Sequence, residues 1–328
     1  MFALLIGASF AVAAPVPKID EAAEKALRAK VDAARPKMVK FLKDSVGKDG
    51  TWEDSVRDHS TGFKGGITAL VVFALLDAGV PPDDKVFEKA LPFLAKLERE
   101  RTYCVSLATQ ALARADAKKY AKDIQANADW LFKCAVTTGD TFRGWSYSTP
   151  NGQHWDNSNT HFALAGLHAA RNAGAKVDAK LWGKVRDLYA RAQNRNGGWC
   201  YANDAPESSA SMTACGALAL ALAVQHDKPT DPDPALAKAL ALLVKNSLDD
   251  RKIKSIGCSL FTHAELGRAL GSAEFKHEKQ SRAWYREGAE RVFKAQAEDG
   301  SVKLEKGLGT GPVTDTAFAL FALGPPVR

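Results

Sequence analysis

The chain is poor in cysteine, and its cysteines are not arranged for chemistry. The five are Cys104, Cys134, Cys200, Cys215 and Cys258; the count is odd and no Cys-x-x-Cys pair occurs. That usage argues against a disulfide framework, and a chain of 328 residues buries enough core to fold without one. No uncharged apolar run reaches the roughly 20 residues a membrane-spanning helix needs. No stretch keeps the apolar–polar alternation that marks half-buried strands. Gly65-Gly66 and Gly197-Gly198 follow no strand and precede no Lys-Ser/Thr pair, which excludes a phosphate loop. Neither Gly-x-Ser-x-Gly nor His-Glu-x-x-His appears, so the ordinary hydrolase signatures are missing. Charge is not concentrated either. The net charge of +7 comes from 45 Lys and Arg against 38 Asp and Glu. The basic residues scatter along stretches such as Lys25, Arg28, Lys30 and Lys85, Lys89, Lys96. That pattern is a solvated face, and it speaks against a nucleic-acid partner.

What the chain has is one module written about six times. Each copy pairs an amphipathic stretch with a turn and then an Ala-rich apolar stretch opened by Thr or Ser. The openings are Thr68, Ser106, Thr160, Thr213, Thr262 and Thr316. A period of about 50 residues signals a stacked or closed array, because one helical hairpin cannot bury its own apolar face. First helices are expected over 19–46, interrupted near Pro36, and over 83–98, 123–136, 179–193, 235–246 and 281–296. Second helices are expected over 66–78, 103–115, 159–172, 212–224, 261–270 and 315–323. The first kind carries charge on one face and so meets water; the second is apolar all round and rich in Ala and Gly, as a crowded inner ring requires. The expected fold class is therefore all-α, an α/α toroid of about six helical hairpins. Residues 1–13 have an apolar core and a small-x-small exit at Ala11-Val12-Ala13, and read as a signal peptide. The toroid is assigned to 19–328, and the expected location is the periplasm or cell envelope.

Gln193-Asn194-Arg195-Asn196-Gly197-Gly198-Trp199 fits the Gln-x-x-x-Gly-x-Trp repeat of squalene and oxidosqualene cyclases. Looser copies stand at Asp49-Gly50-Thr51-Trp52, Arg143-Gly144-Trp145 and Gln296 to Val302, where Val302 replaces the Trp. The chain resembles the prenyltransferase and squalene-oxidase repeat proteins, which share the α/α toroid of terpenoid cyclases and protein prenyltransferase β subunits. The resemblance also marks what is missing. The Asp-x-Asp-Asp acid of squalene-hopene cyclases does not occur, nor does the Asp-x-Cys…His zinc set of protein prenyltransferases, nor a Cys-Gly-Glu-Gln thioester.

In the resembled enzymes the working groups sit at the mouth of the inner barrel. Here that zone holds His59, Lys64, Tyr103, Asp156, Asn157, Asn159, His161, Ser208, Ser211, Cys258, His263, Thr310 and Asp315. His161 and His263 each follow a module Thr directly and are expected to converge if the ring closes. Asp156 and Asp315 are candidate acids, whose pKa an apolar funnel raises. Asp315, His161, His263 and Cys258 are suitable zinc ligands, but their spacing matches no local zinc signature. N-capping by Asp156, Asn159 and Asp315 is the plainer reading, since every helix start needs a cap. His161, His263, Trp145, Trp155, Tyr147 and Tyr201 are candidates to line a ligand cavity, although a Trp in such a turn also serves as a clasp over adjoining helix ends. The expectation is a protein that holds an apolar or isoprenoid-like ligand, or a polypeptide segment, in its central funnel, with no cofactor and no cyclase catalysis. The rivals are an enzyme of prenyl or triterpenoid lipid metabolism with relocated acids, and an envelope scaffold. A funnel plugged by side chains favours the scaffold.

Overall fold

A computed structural model describes residues 21–53, 63–149, 154–202, 207–246, 255–305 and 311–326. The segment 1–13, His59 and Thr310 lie outside the described residues. The inner helices are α2 (Gly66–Asp77), α4 (Thr102–Asp116), α6 (Asn157–Asn172), α8 (Ala210–Asp227), α10 (Ile256–Leu270) and α12 (Pro312–Ala322). Each packs on the next, and α12 packs back on α2, so the ring is closed. Around it lie α1 (Glu21–Asp44), α3 (Ala90–Ala95), α5 (Ala121–Lys133), α7 (Lys180–Ala192), α9 (Pro234–Lys245) and α11 (Trp284–Ala295). The fold is the expected all-α toroid, with α1, the first outer helix, resting on α11, α12 and α2 to close the outer ring.

Two packing chemistries separate the rings. Every residue from Thr213 to Ala223 of α8 is buried, as is every residue from Val313 to Ala322 of α12. Helix α1 instead buries only Leu27, Val31, Ala34, Met38 and Leu42, a stripe at helical spacing, and leaves its lysines wet. Small side chains let the inner backbones approach. A Cβ on Gly166 of α6 would lie 2.9 Å from the Cα of Ser106 on α4.

The outer-to-inner turns use one hydrogen-bonding device at several places. The Trp52 and Trp145 backbone N–H groups donate to Thr68 and Thr160 Oγ1, both at 3.0 Å, and Val302 N–H donates to Thr316 Oγ1 at 2.8 Å. The indole N–H groups of Trp52, Trp145 and Trp199 donate to the Leu42, Leu131 and Tyr189 carbonyls of the outer helices, at 2.8, 2.6 and 3.0 Å. The tryptophan thus ties the end of an outer helix, while the backbone beside it is tied to the start of an inner one. The clasp reading holds at these three residues, all at most 1% exposed. Two glycines of these turns, Gly197 and Gly300, sit hard against the next outer helix, at Lys238 of α9 and Lys37 of α1. Gly300 has φ +88°, and a Cβ there would lie 2.2 Å from the Lys37 carbonyl oxygen.

Three local expectations need correction. Helix α1 runs through Pro36 without a break, because its buried stripe is longer than the one turn that a missing N–H weakens. The stretch 83–98 is not one helix: a 3₁₀ turn Lys85–Phe87 precedes the six-residue α3, and Asp84 caps that turn by accepting from Val86 N–H. Two short antiparallel hairpins occur where loops were expected, β1 (Val136–Thr138) with β2 (Thr141–Gly144) and β3 (Phe275–His277) with β4 (Gln280–Arg282). Each is too short to show a period of two.

Candidate functional site

Each hairpin leads from outer to inner in the same order, so the inner helices run one way and their N-termini gather at one rim. Aromatic side chains cluster there. Phe63 meets Tyr103 edge-on at 6.3 Å and Tyr147 at 6.2 Å, and Tyr103 lies 5.9 Å from Tyr147. The Tyr147 and Tyr201 hydroxyls share a 2.5 Å hydrogen bond, and Tyr103 shares one of 2.5 Å with Ser158. Burial, with the Asp156 carboxylate nearby, raises the phenol pKa of Tyr103, so it stays a neutral hydrogen-bonding group. Phe63, Tyr103 and Tyr147 are half-buried and Tyr201 is exposed.

Below this rim the lumen is occupied by side chains. Phe162 of α6 lies 4.5 Å from Tyr103 and stacks on Phe261 of α10 at 5.7 Å, reaching past α8. Phe261 in turn lies 4.5 Å from Phe321 and 6.4 Å from Phe73 of α2. Rings from α2, α6, α10 and α12 therefore meet across the interior.

The candidate acids have structural work. Asp156 caps α6, accepting from Asn159 N–H at 2.7 Å and from its amide at 2.8 Å. Asn159 is thus a donor to the cap and not a cap itself. Asp315 is not the cap of α12, whose cap is Gly311; it accepts the Leu304 N–H at 3.1 Å and fixes the preceding loop. Burial raises the pKa of both carboxyls.

His161 and His263 do not converge. His161 Nδ1 lies 2.8 Å from the Ser158 carbonyl, which only accepts, so Nδ1 carries the proton. Its Nε2 faces α10, 3.5 Å from Thr262 Oγ1 and 3.9 Å from Glu265 Oε2. His263 Nδ1 binds the Ser259 carbonyl at 2.8 Å, and its ring lies beside Phe275 of the β3–β4 hairpin at 5.6 Å. The residues that follow Thr160 and Thr262 therefore serve two different neighbours. Cys258 is half-buried, with its thiol pushed up to about 11 by burial, so it is not thiolate at neutral pH. Among the described residues no group of three or more His, Cys, Asp or Glu is placed to hold a metal ion. Trp145 and Trp155 are both buried, Trp145 in its clasp, while Tyr147 and Tyr201 reach the rim.

Glu265 is the lumen residue that sequence reading missed. Burial pushes its carboxyl up to about 8 and holds His161 down at about 4. A neutral acid thus faces a neutral imidazole. The available signal was an acid, Glu265, inside the second-helix stretch Phe261 to Leu270, which was expected to be buried all round. The far end of the barrel is closed by Asp77, 3.2 Å from Arg268, whose guanidinium lies 3.9 Å over the Phe321 ring. No helix among the described residues is long and apolar enough to cross a membrane.

The closed double ring is a terpenoid-cyclase-like fold. The chain is similar to the apo structure of the type II terpene cyclase MstE from Scytonema, with a TM-score of 0.56 and 11% identity over 90% of this chain and 97% of that one. It is similar also to a variant of that enzyme in complex with its product, merosterolic acid A, with a TM-score of 0.57 and 12% identity over 91% and 97%. No protein-family model and no curated protein matches the chain.

Proposed function

We propose that this is an exported protein of terpenoid-cyclase fold that holds an apolar, isoprenoid-like ligand at the aromatic rim of its inner barrel and does not cyclise it. The six hairpins are read as copies of one module, and export rests on the apolar start with its small-x-small exit. The observation that carries the ligand reading is the half-buried Phe63, Tyr103 and Tyr147 cluster, continuous through Phe162 with the lumen rings. Its hydroxyl pairs suit a polar end group, and its faces suit a hydrocarbon. The product merosterolic acid A, bound in the similar type II terpene cyclase MstE, supports the same choice of ligand.

The acids support the absence of cyclisation. Protonating an alkene needs a strong acid, and burial moves Asp156, Asp315 and Glu265 the wrong way. A carboxyl near 8 is a weaker acid than a carboxyl in water. The side-chain-filled lumen favours one second reading, a scaffold whose outer face binds envelope proteins.

Native mass spectrometry of the protein from its own host, with farnesol titrated in parallel, separates the two. Retained isoprenoid lipid, and farnesol binding weakened in Tyr147→Ala, is the expected result. No lipid and no farnesol binding defeats the ligand reading in favour of the scaffold. Incubation with squalene is expected to give no cyclised product; a hopanoid would restore catalysis.

A further inference from the structure

A groove of about 610 Å³ opens on the outside of the ring, between α1 and the Ala78–Val80 turn that follows α2. Pro36, Val39, Ala78 and Val80 give it an apolar lining, and its charges come from α1. Two of the cations there are engaged: Lys40 pairs with Asp44, and Lys43 binds Asp84 at 2.6 Å. Asp32 and Arg35 are different. Among the described residues neither forms an ion pair, and the Arg35 Nε is buried with no acceptor. A buried guanidinium N–H left unpaired is costly, so a native site with such a donor calls for an acceptor. The two residues stand three apart on α1, which puts opposite charges on one helix face roughly 5–6 Å apart at Cβ.

We propose that this groove binds a free apolar α-amino acid, with Arg35 on its carboxylate, Asp32 on its ammonium and its side chain against Pro36, Val39, Ala78 and Val80. Complementarity selects this class. A simple anion would meet Asp32, and a simple cation would meet Arg35. A zwitterion with both charges on one carbon satisfies both, and its hydrocarbon side chain covers the apolar lining. The guanidinium fork suits a carboxylate in two parallel hydrogen bonds. The volume lies within the ordinary range of small-molecule sites. This site is separate from the rim proposed above, and neither reading depends on the other.

The test titrates the full chain with L-leucine by calorimetry, beside isocaproate, which lacks the ammonium, and isoamylamine, which lacks the carboxylate. Leucine is expected to bind, and each analogue to bind at least about tenfold more weakly, the loss of one charge-assisted hydrogen bond. Arg35→Gln is expected to abolish leucine binding. Asp32→Asn, at an exposed position, is expected to erase the preference for leucine over isocaproate. No heat with leucine, or analogues that match it, overturns the proposal. Should Arg35→Gln fail to fold, the analogue series and Asp32→Asn still decide it.

Discussion

Gln296 donates its side-chain amide to the Ala34 carbonyl oxygen at 3.0 Å, although 262 residues separate them. The bond joins the end of α11 to α1, the last outer helix to the first. Gln193 makes the corresponding bond inside the chain, to the Ala235 carbonyl of α9 at 2.8 Å. The motif glutamine thus reaches forward to the next outer helix, and at Gln296 the next helix is the first one. Gln296→Ala is expected to lower stability by about 1 kcal/mol, the worth of one hydrogen bond. Hydrogen exchange should then quicken in α1 before the other outer helices. Equal protection of α1 in mutant and wild type would show that the apolar stripe of α1 closes the ring unaided.

Trp199 separates packing from hydrogen bonding. Its ring is fully buried, and its indole N–H donates to the Tyr189 carbonyl at 3.0 Å. Trp199→Ala is expected to cost about 3–5 kcal/mol, the range for deleting a buried aromatic. Trp199→Phe keeps most of the ring and is expected to cost much less. Thermal or denaturant unfolding reads both; an unchanged melting temperature in Trp199→Ala would remove the clasp from the account.

The architecture was legible in the sequence because it is periodic. Alanine-dense runs flanked by charged helices imply enclosure, and α8 is enclosed from Thr213 to Ala223. The role of the opening threonine was not legible. Thr160 Oγ1 accepts from Trp145 N–H, a contact with no trace in either residue's own surroundings in the sequence. Of the residues read as caps only Asp156 is one; Asn159 donates to it, and Asp315 serves the Leu304 N–H, eleven residues earlier. His161 and His263 misled because shared module phase was taken as shared direction. Their neighbours, Glu265 for one and the β3–β4 hairpin for the other, are set by tertiary packing.

Stability should depend on pH through groups that burial keeps neutral. His161, His168 and His226 are held down at about 4 and His263 at about 3, against 6.5 in water. Between 6.5 and 4 the unfolded chain binds more protons, so stability falls as pH drops. Glu265 acts in the opposite sense. Its folded value of about 8 exceeds the usual 4.5, so its contribution is full below 4.5 and is lost as pH rises to 8. The melting temperature is expected to peak near pH 6.5 and decline gently above it. Glu265→Gln should flatten that alkaline decline and, because the carboxyl opposes the histidines between 4.5 and 6.5, steepen the upper part of the acid limb. A decline of unchanged slope in the variant would mean that the carboxyl ionises freely.

Phe261 tests whether the lumen is closed by packing alone. It stacks on Phe162, lies against Phe321 and Phe318, and is fully buried. Phe261→Ala should cost about 3–5 kcal/mol, with the larger value if the surrounding rings cannot collapse. Phe162, Phe318 and Phe321 belong to helices held by the Trp and Thr clasps, so collapse is opposed and an apolar void should remain. Such voids stay dry and take up small apolar solutes. Benzene or xenon should therefore raise the melting temperature of the variant and leave that of the wild type unchanged. If wild type responds equally, the lumen is already open to apolar ligands, and the ligand site extends below the rim to Phe261.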